Sequence, residues 1–127
     1  SSKFITVSVK KCKNEIDAKK IAFSIANSPL VKPAIAGEDP NWGRIVMAIG
    51  KSGFKVNKEK ISIFFGNNIV AENGERSREY DELTVTEYMK NDSLIITVDL
   101  KSGSGVASIY TCDLTHDYIS INADYRS

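Results

Sequence analysis

The stretch "GEDPNWGR", residues 37–44, holds the residues best suited to chemistry: two acids, an arginine and the chain's single tryptophan. Free N–H groups at the start of a helix attract anions, and Arg44 could offer a forked pair of donors to a carboxylate. Asp39 as a helix cap would instead occupy those N–H groups and place a negative charge where an anionic ligand would bind. Both an anion site and a structural helix start stay open, and the residue types favour the structural alternative.

Three further groups are better explained by structural roles. The glycines of "SGSGVAS", residues 102–108, lie between two predicted strands, whereas a phosphate-binding loop leads from a strand into a helix. His116 precedes Asp117, which could orient its imidazole, but spacing assigns it no Ser or Cys nucleophile. The acids of "REYDE", residues 78–82, lack the spaced oxygen ligands of a calcium loop. The residues alone therefore indicate no self-sufficient active site.

Length, composition and charge describe an ordinary globular domain. The chain has 127 residues, of which 42% are hydrophobic and 26% are charged, so we expect residues 1–127 to form a single domain. Seventeen basic and sixteen acidic residues give a net charge of +1, which argues against nucleic acid or an anionic membrane as a partner. No apolar run is long enough to cross a membrane.

The metal-binding and redox-active residue types are few. Cys12 and Cys112 could form one bridge, but no disulfide framework and no CxxC pair exists. A single histidine argues against a zinc site, so we expect no metal and no cofactor. A reducing compartment such as the cytoplasm fits two free thiols. Because strand-like residues follow Ser1 almost at once, we expect the chain to be a piece cut from, or processed out of, a longer polypeptide.

The first elements are a strand and a helix. "FITVSV", residues 4–9, alternates apolar and hydroxyl residues as a half-buried strand does. "KNEIDAKKIAFSIANSP", residues 13–29, then changes to helical spacing, with Asn14 as the N-cap and Pro29 as the stop. The apolar side of this helix is predicted to carry Ile16, Ile21, Ala22, Ile25 and Ala26.

A second helix of about three turns is predicted within residues 36–50. Asp39 is expected to cap it, and Pro40 to occupy the first helical position, where its missing N–H costs nothing. Gly50 or Gly53 is expected to end it. The core-facing stripe is expected to consist of Trp42, Ile45, Val46 and Ile49.

The rest of the chain predicts hairpins and one more helix. Residues 61–71 indicate a hairpin around "GNN", and residues 86–90 a helical segment. "SLIITVDL" and "GVASIYTCDL", within residues 93–114, flank "KSGSG" as a second hairpin would. Residues 116–125 finish as a strand. The expected fold class is α+β: a mostly antiparallel or mixed, roll-like sheet with two to three helices packed on one side.

Two long segments resemble a known family. "SPLVKPAIAGEDPNWGRIVMAIG" and "YTCDLTHDYISINADYRS" are similar to the C-terminal part of the β chain of ornithine acetyltransferases, the glutamate N-acetyltransferase family of arginine biosynthesis. The resemblance covers essentially the whole chain in register. It implies a precursor that cleaves itself into α and β chains, with the new N-terminal threonine of β as the nucleophile. That threonine would carry acetyl from N-acetylornithine to glutamate, and some members also accept acetyl-CoA.

The chain departs from the family pattern where catalysis is concerned. No self-cleavage stretch is present and no threonine lies in such a context, so we expect no catalytic residue in this chain and no activity of this piece alone. The resemblance implies two substrate contacts here, Asn122 and Ser127. It also implies the α chain and the N-terminal part of the β chain as partners, assembled as an α2β2 heterotetramer.

Asn122 also fits a binding role by its own chemistry. Alternation places it on the polar side of the last strand, together with Tyr118, Ser120 and Asp124. Its amide both donates and accepts hydrogen bonds, which suits a zwitterionic amino acid. Five extended residues span roughly 16 Å, so the tail must curl back for Ser127 to reach the same substrate. The alternative is a non-catalytic module that binds an amino acid or a protein.

Overall fold

The computed structural model of the chain describes residues 3–112 and 119–121. In these residues seven strands form one sheet, in the order β4-β3-β2-β5-β1-β6-β7. The strands are β1 (Phe4–Cys12), β2 (Ser62–Phe65), β3 (Asn68–Glu72), β4 (Glu75–Arg76), β5 (Ser93–Asp99), β6 (Gly105–Cys112) and β7 (Ile119–Ile121). The α-helices are α1 (Glu15–Ala26), α2 (Val31–Ala36), α3 (Trp42–Gly50) and α4 (Glu82–Tyr88), and a 3-10 turn spans Lys58–Lys60. The predicted α+β class with a mixed sheet is confirmed. The described residues contain four α-helices where two to three were expected, and the short α2 is the additional one.

Strand β1 lies in the middle of the sheet between two strands that follow it much later in the chain. It pairs in parallel with β5, with Val7 opposite Ile96, and antiparallel with β6, with Val7 opposite Ile109. The predicted hairpin within residues 93–114 is therefore wrong, because β1 separates its two strands. The predicted hairpin of β2 and β3 is confirmed.

The connection between β5 and β6 crosses the end of β1 at close range. The backbone N–H of Leu100 donates to the Lys10 carbonyl at 3.1 Å. The N–H groups of Ser102 and Gly103 both donate to the Lys11 carbonyl, at 2.8 and 3.1 Å. Because these bonds hold the connection against β1, two strands that are consecutive in sequence can lie on either side of a third.

The hydrophobic core lies between one face of the sheet and the helices. Alternate residues of the three central strands are buried on this face: Ile5, Val7, Val9, Leu94, Ile96, Val98, Ala107 and Ile109. Residues of α1 and α3 complete the same cluster, among them Ala18, Ile21, Ile25, Ile45 and Ile49. The Ser24 hydroxyl donates to the Ala48 carbonyl at 2.9 Å and joins the two helices.

Helix α1 follows its prediction with one exception. Asn14 is the N-cap, and its side-chain oxygen accepts from the Asp17 N–H at 2.8 Å. The helix ends at Ala26, three residues before Pro29. Ile16 is 67% exposed and does not face the core. It lies five residues before the buried Ile21, and five residues correspond to a rotation of roughly 140° about the helix axis, so the two side chains point in different directions.

The two cysteines lie too far apart for a disulfide. Cys112 pairs with Phe4 at the start of β1, whereas Cys12 ends the same strand. Eight residues of strand separate the two positions by roughly 26 Å, and a disulfide needs Cα atoms within about 7 Å. Both thiols are buried and free, so the bridge that the sequence left open is excluded.

Among the described residues, no helix is long and apolar enough to cross a membrane.

The close crossing of β1 makes Gly105 intolerant of a side chain. A Cβ atom at Gly105 would overlap the backbone carbonyl group of Asn14. We expect Gly105→Ala to lower the free energy of unfolding by about 2–3 kcal/mol, the cost of forcing extra volume into a packed site. Urea denaturation measures this change.

Gly50, the last residue of α3, is the matched control, because a Cβ atom there would meet no heavy atom within 4 Å. We expect Gly50→Ala to be neutral or to stabilise by up to about 1 kcal/mol through the entropy of the unfolded chain. Equal effects of the two substitutions would contradict the packing described for the crossing.

Candidate functional site

The segment "GEDPNWGR" begins as the C-terminal cap of α2. The Glu38 N–H donates to the Ile35 carbonyl at 2.9 Å, and the Asp39 N–H donates to the Ala34 carbonyl at 2.8 Å. These are the two hydrogen bonds of a Schellman motif, in which the residue after the cap adopts a left-handed backbone. Here that residue is Glu38, with φ 59°, and not the neighbouring Gly37. An acidic residue thus occupies a position that usually belongs to glycine.

The side chain of Glu38 is held by a buried lysine. Its carboxylate lies 3.0 Å from the Lys3 ammonium, whose side chain is only 6% exposed. The same ammonium donates to the backbone carbonyls of Met89 at 3.0 Å and Asn91 at 2.9 Å, just after α4. A cation is favourable there because carbonyl groups without helical partners accumulate at the end of a helix. Lys3 therefore joins the start of β1, the end of α4 and the turn after α2.

Helix α3 begins later than predicted. The Asn41 N–H donates to the Asp39 carbonyl at 2.8 Å, which closes a three-residue turn centred on Pro40. The helix starts at Trp42 with Asn41 as its N-cap residue, and no side chain caps it. The prediction that Asp39 caps the helix and that Pro40 opens it is wrong, because residues 37–41 are used to redirect the chain from α2 to α3.

The apolar stripe of α3 is confirmed, and Arg44 has a structural contact. Ile45 and Ile49 are buried, while Trp42 and Val46 are partly buried against the core. The Arg44 guanidinium donates from Nη1 to the carbonyl of Leu30, the N-cap residue of α2, at 2.8 Å. This bond holds α3 against the start of α2, in agreement with the structural alternative.

Burial and neighbouring charges shift the pKa of Tyr80. Burial raises the pKa of Tyr80, and the carboxylates of Glu82 and Asp39 raise it further, because negative charge opposes formation of a phenolate. Arg76 lowers the same pKa, and its guanidinium lies 4.4 Å from the centroid of the Tyr80 ring.

One cleft of the described residues contains two groups that could act as nucleophiles. It has a volume of about 220 Å³, lies between the start of α1 and the loop after α3, and is lined by Cys12, Asp17, Phe54 and Ser102 among others. The Cys12 thiol is buried, and the Ser102 hydroxyl donates to the Leu100 carbonyl at 2.9 Å. Among the described residues neither group is hydrogen-bonded to a base, which is how a nucleophile is activated. Within residues 3–112 and 119–121, no three His, Cys, Asp or Glu side chains come together as a metal site.

The sequence-predicted substrate contacts, Asn122 and Ser127, lie outside the described residues, and so does His116 with Asp117. The nearest described element is β7, an edge strand paired antiparallel with β6. In this pairing Ser120 lies opposite Tyr110, and Ile121 opposite Ile109. The roles of Asn122 and Ser127 therefore stay predictions, and the structure fixes only the strand that precedes Asn122.

Taken together, the described residues define an α+β fold in which helices cover one face of a mixed sheet. The sequence model of the ArgJ family matches residues 1–127, and the chain belongs to that family. This confirms the family indicated by the two sequence segments.

Named relatives and a solved structure agree with this assignment. The chain is 55% identical over 127 residues to the arginine biosynthesis bifunctional protein ArgJ of Ruegeria pomeroyi, and 51% identical over 125 residues to that of Agrobacterium fabrum. The match covers 100% and 98% of this chain but only 31% and 30% of those proteins. The crystal structure of ArgJ from Bacillus halodurans superposes with a TM-score of 0.84 at 41% identity, over 91% of this chain and 55% of that one. The chain thus spans about a third of the length of the curated relatives it matches.

The contacts of Lys3 lead to a prediction about stability. Lys3→Met keeps an unbranched side chain but removes three charge-assisted contacts, and it leaves the Met89 and Asn91 carbonyls without this donor. We expect a loss of about 2–3 kcal/mol in the free energy of unfolding, measured by urea denaturation.

Lys90→Met serves as the control, because the Lys90 ammonium only approaches the Glu87 carboxylate at 3.7 Å on an exposed surface. Its expected cost is below about 0.5 kcal/mol. If Lys3→Met were as mild as Lys90→Met, the tie between β1, α4 and the α2 turn would carry no stability.

Proposed function

We propose that this chain is the C-terminal lobe of the β chain of a glutamate N-acetyltransferase. The observation that carries the proposal is the 55% identity over all 127 residues to a bifunctional arginine biosynthesis protein, of which this chain covers 31%. The complete enzyme would transfer acetyl from N-acetylornithine to glutamate and release ornithine and N-acetylglutamate. Residues 1–127 would form one domain of that enzyme.

The reaction would pass through an acetyl-threonine whose threonine lies outside this chain. The threonine hydroxyl attacks the acetyl carbonyl, and the amine of ornithine leaves with the hydroxyl proton. The amine of glutamate then attacks the ester, the bond to the threonine oxygen breaks, and that oxygen takes the proton that the glutamate amine loses. Donors aimed at the developing oxyanion would stabilise both tetrahedral intermediates.

The part of this chain in the reaction would be to hold the amino-acid substrate. Asn122 directly follows edge strand β7, and its amide can meet both an ammonium and a carboxylate. Ser127 supplies a hydroxyl, and it reaches the same substrate if the tail after Asp124 curls back. The preceding strand β7 lies at an edge of the described sheet, where a pocket can be completed by another part of the enzyme.

The proposed partners are the α chain and the N-terminal part of the β chain, assembled as an α2β2 heterotetramer in the cytoplasm. Two buried, free thiols are compatible with a reducing compartment. The transfer needs no cofactor, because the acetyl group moves between two amines through a side-chain ester. Use of acetyl-CoA as a second donor would add an entry route for acetyl groups.

A reconstitution experiment tests the division of labour. We expect residues 1–127 alone to transfer no acetyl group from N-acetylornithine to glutamate, and the complete enzyme to do so, as followed by mass spectrometry of N-acetylglutamate. Activity of the isolated chain would contradict the proposal.

Calorimetric titration of the isolated chain with N-acetylornithine, ornithine and glutamate distinguishes the proposed lobe from the alternative, a non-catalytic module that binds an amino acid on its own. Half a pocket leaves much of an amino acid's polar surface unpaired, so we expect little binding. Tight binding would favour a self-contained amino-acid-binding module.

A substitution in the complete enzyme tests the substrate contact. Asn122→Ala would leave polar groups of a bound substrate unpaired, so we expect kcat/KM to fall by about 5- to 150-fold, equivalent to about 1–3 kcal/mol. Steady-state kinetics with N-acetylornithine and glutamate measure this.

Asn68→Ala is the matched control. Asn68 lies on β3, five strands from β7 and roughly 24 Å away across the sheet, and its amide donates to the Phe65 carbonyl within a turn. We expect its kcat/KM to stay at the parent value. An unchanged kcat/KM for Asn122→Ala would remove Asn122 from the pocket.

A further inference from the structure

The sheet has a second face that the helices do not cover. On this face Thr6 of β1 lies directly between Ile95 of β5 and Tyr110 of β6. Ile95 is 48% exposed, and Phe4, two residues before Thr6, is 59% exposed. Val106 of β6 is 54% exposed. We call this surface, formed by Phe4, Thr6, Phe64, Ile95, Val106 and Tyr110 with the hydroxyl residues between them, the open face.

The composition of the open face is unlike that of a sheet surface in contact with water. Small hydroxyl residues, rather than charged ones, lie between the apolar side chains, and the Ser108 hydroxyl donates to the Ser8 hydroxyl at 3.2 Å. The register places Ser8 opposite both Thr97 and Ser108, so the middle row is neutral. In an antiparallel sheet with one solvated face, each strand instead alternates apolar residues that point to the core with polar residues that point to water.

Charged groups collect at one end of the open face. Asp99 is largely buried there, with its carboxylate 3.6 Å from the Lys11 ammonium. The Lys10 ammonium lies 5.7 Å from the centroid of the Phe64 ring. Exposed aromatic and aliphatic side chains that are bordered by charged groups are a composition found at protein interfaces.

Strand β5 carries apolar residues on both of its faces. In β5 an apolar run, Leu94, Ile95 and Ile96, supplies both faces, with Leu94 and Ile96 turned to the core. Such a continuous run is typical of a strand buried on both sides.

We infer that the open face packs against the part of the enzyme polypeptide that lies outside residues 1–127. This inference rests on the proposed function, since it requires the chain to belong to a longer enzyme. The curated relatives extend over more than three times the length matched here, because 127 residues make up 31% of one of them. That length can supply an apolar element to cover the sheet, at the usual layer spacing of roughly 10 Å.

A labelling experiment on the complete enzyme tests whether the open face is covered. In Ile95→Cys the new thiol replaces a side chain that is 48% exposed in this chain, and in the control Leu83→Cys it replaces one on α4 that is 83% exposed. We expect maleimide to modify Leu83→Cys readily, and Ile95→Cys only after unfolding in urea, as read by peptide mass spectrometry. Equal labelling of both native variants would overturn the inference.

Photo-crosslinking identifies what covers the face. With p-benzoylphenylalanine in place of Tyr110 in the complete enzyme, we expect crosslinked peptides that join residues 1–127 to sequence outside them. Crosslinks between two copies of residues 1–127 would overturn the inference in favour of self-association. Crosslinks to outside sequence, in an enzyme without acetyl transfer to glutamate, would leave this inference standing while the proposed reaction fails.

Discussion

The insertion of β1 between β5 and β6 is the constraint on which the rest of the structure depends. It requires the connection from β5 to β6 to cross the end of β1 at backbone contact, which the Leu100 and Ser102 N–H groups secure. The absence of a side chain at Gly105 allows the strand to begin against Asn14. Asn14 in turn caps α1. One crossing therefore sets the central register and fixes the start of the helix that covers the core.

A second tie holds the other end of β1. Lys3 brings a buried positive charge to the end of α4 and to Glu38. The left-handed backbone of Glu38 would by itself cost about 1–2 kcal/mol relative to glycine. The Glu38 carboxylate forms an ion pair with Lys3, and glycine at this position could not form that ion pair. The motif "GEDPNWGR" thus carries structural chemistry at both ends: Glu38 ties it to β1, and Arg44 ties α3 to α2.

The parts of the fold that could be predicted from sequence are those whose cause is local. Asn14 as a cap and the β2–β3 hairpin each rest on residues a few positions apart, and both are confirmed. The place of β1 could not be found in this way, because alternation shows that a strand has two faces and not which strands flank it. Asp39 failed as a cap for a related reason: the Schellman motif before it depends on α2, a six-residue helix too short to give a clear period.

The candidate site could not be derived from local sequence patterns either, for a different physical reason. A substrate contact of the kind proposed for Asn122 needs a second surface to close around the ligand. Residue patterns within one segment say nothing about a surface that another segment supplies. The open face makes the same point for packing: exposed apolar side chains such as Ile95 and Val106 can mark an interaction surface, but they do not say which segment would cover it. The proposed lobe role joins the two points: the polypeptide that we infer to cover the open face could also close the pocket around the proposed substrate contact.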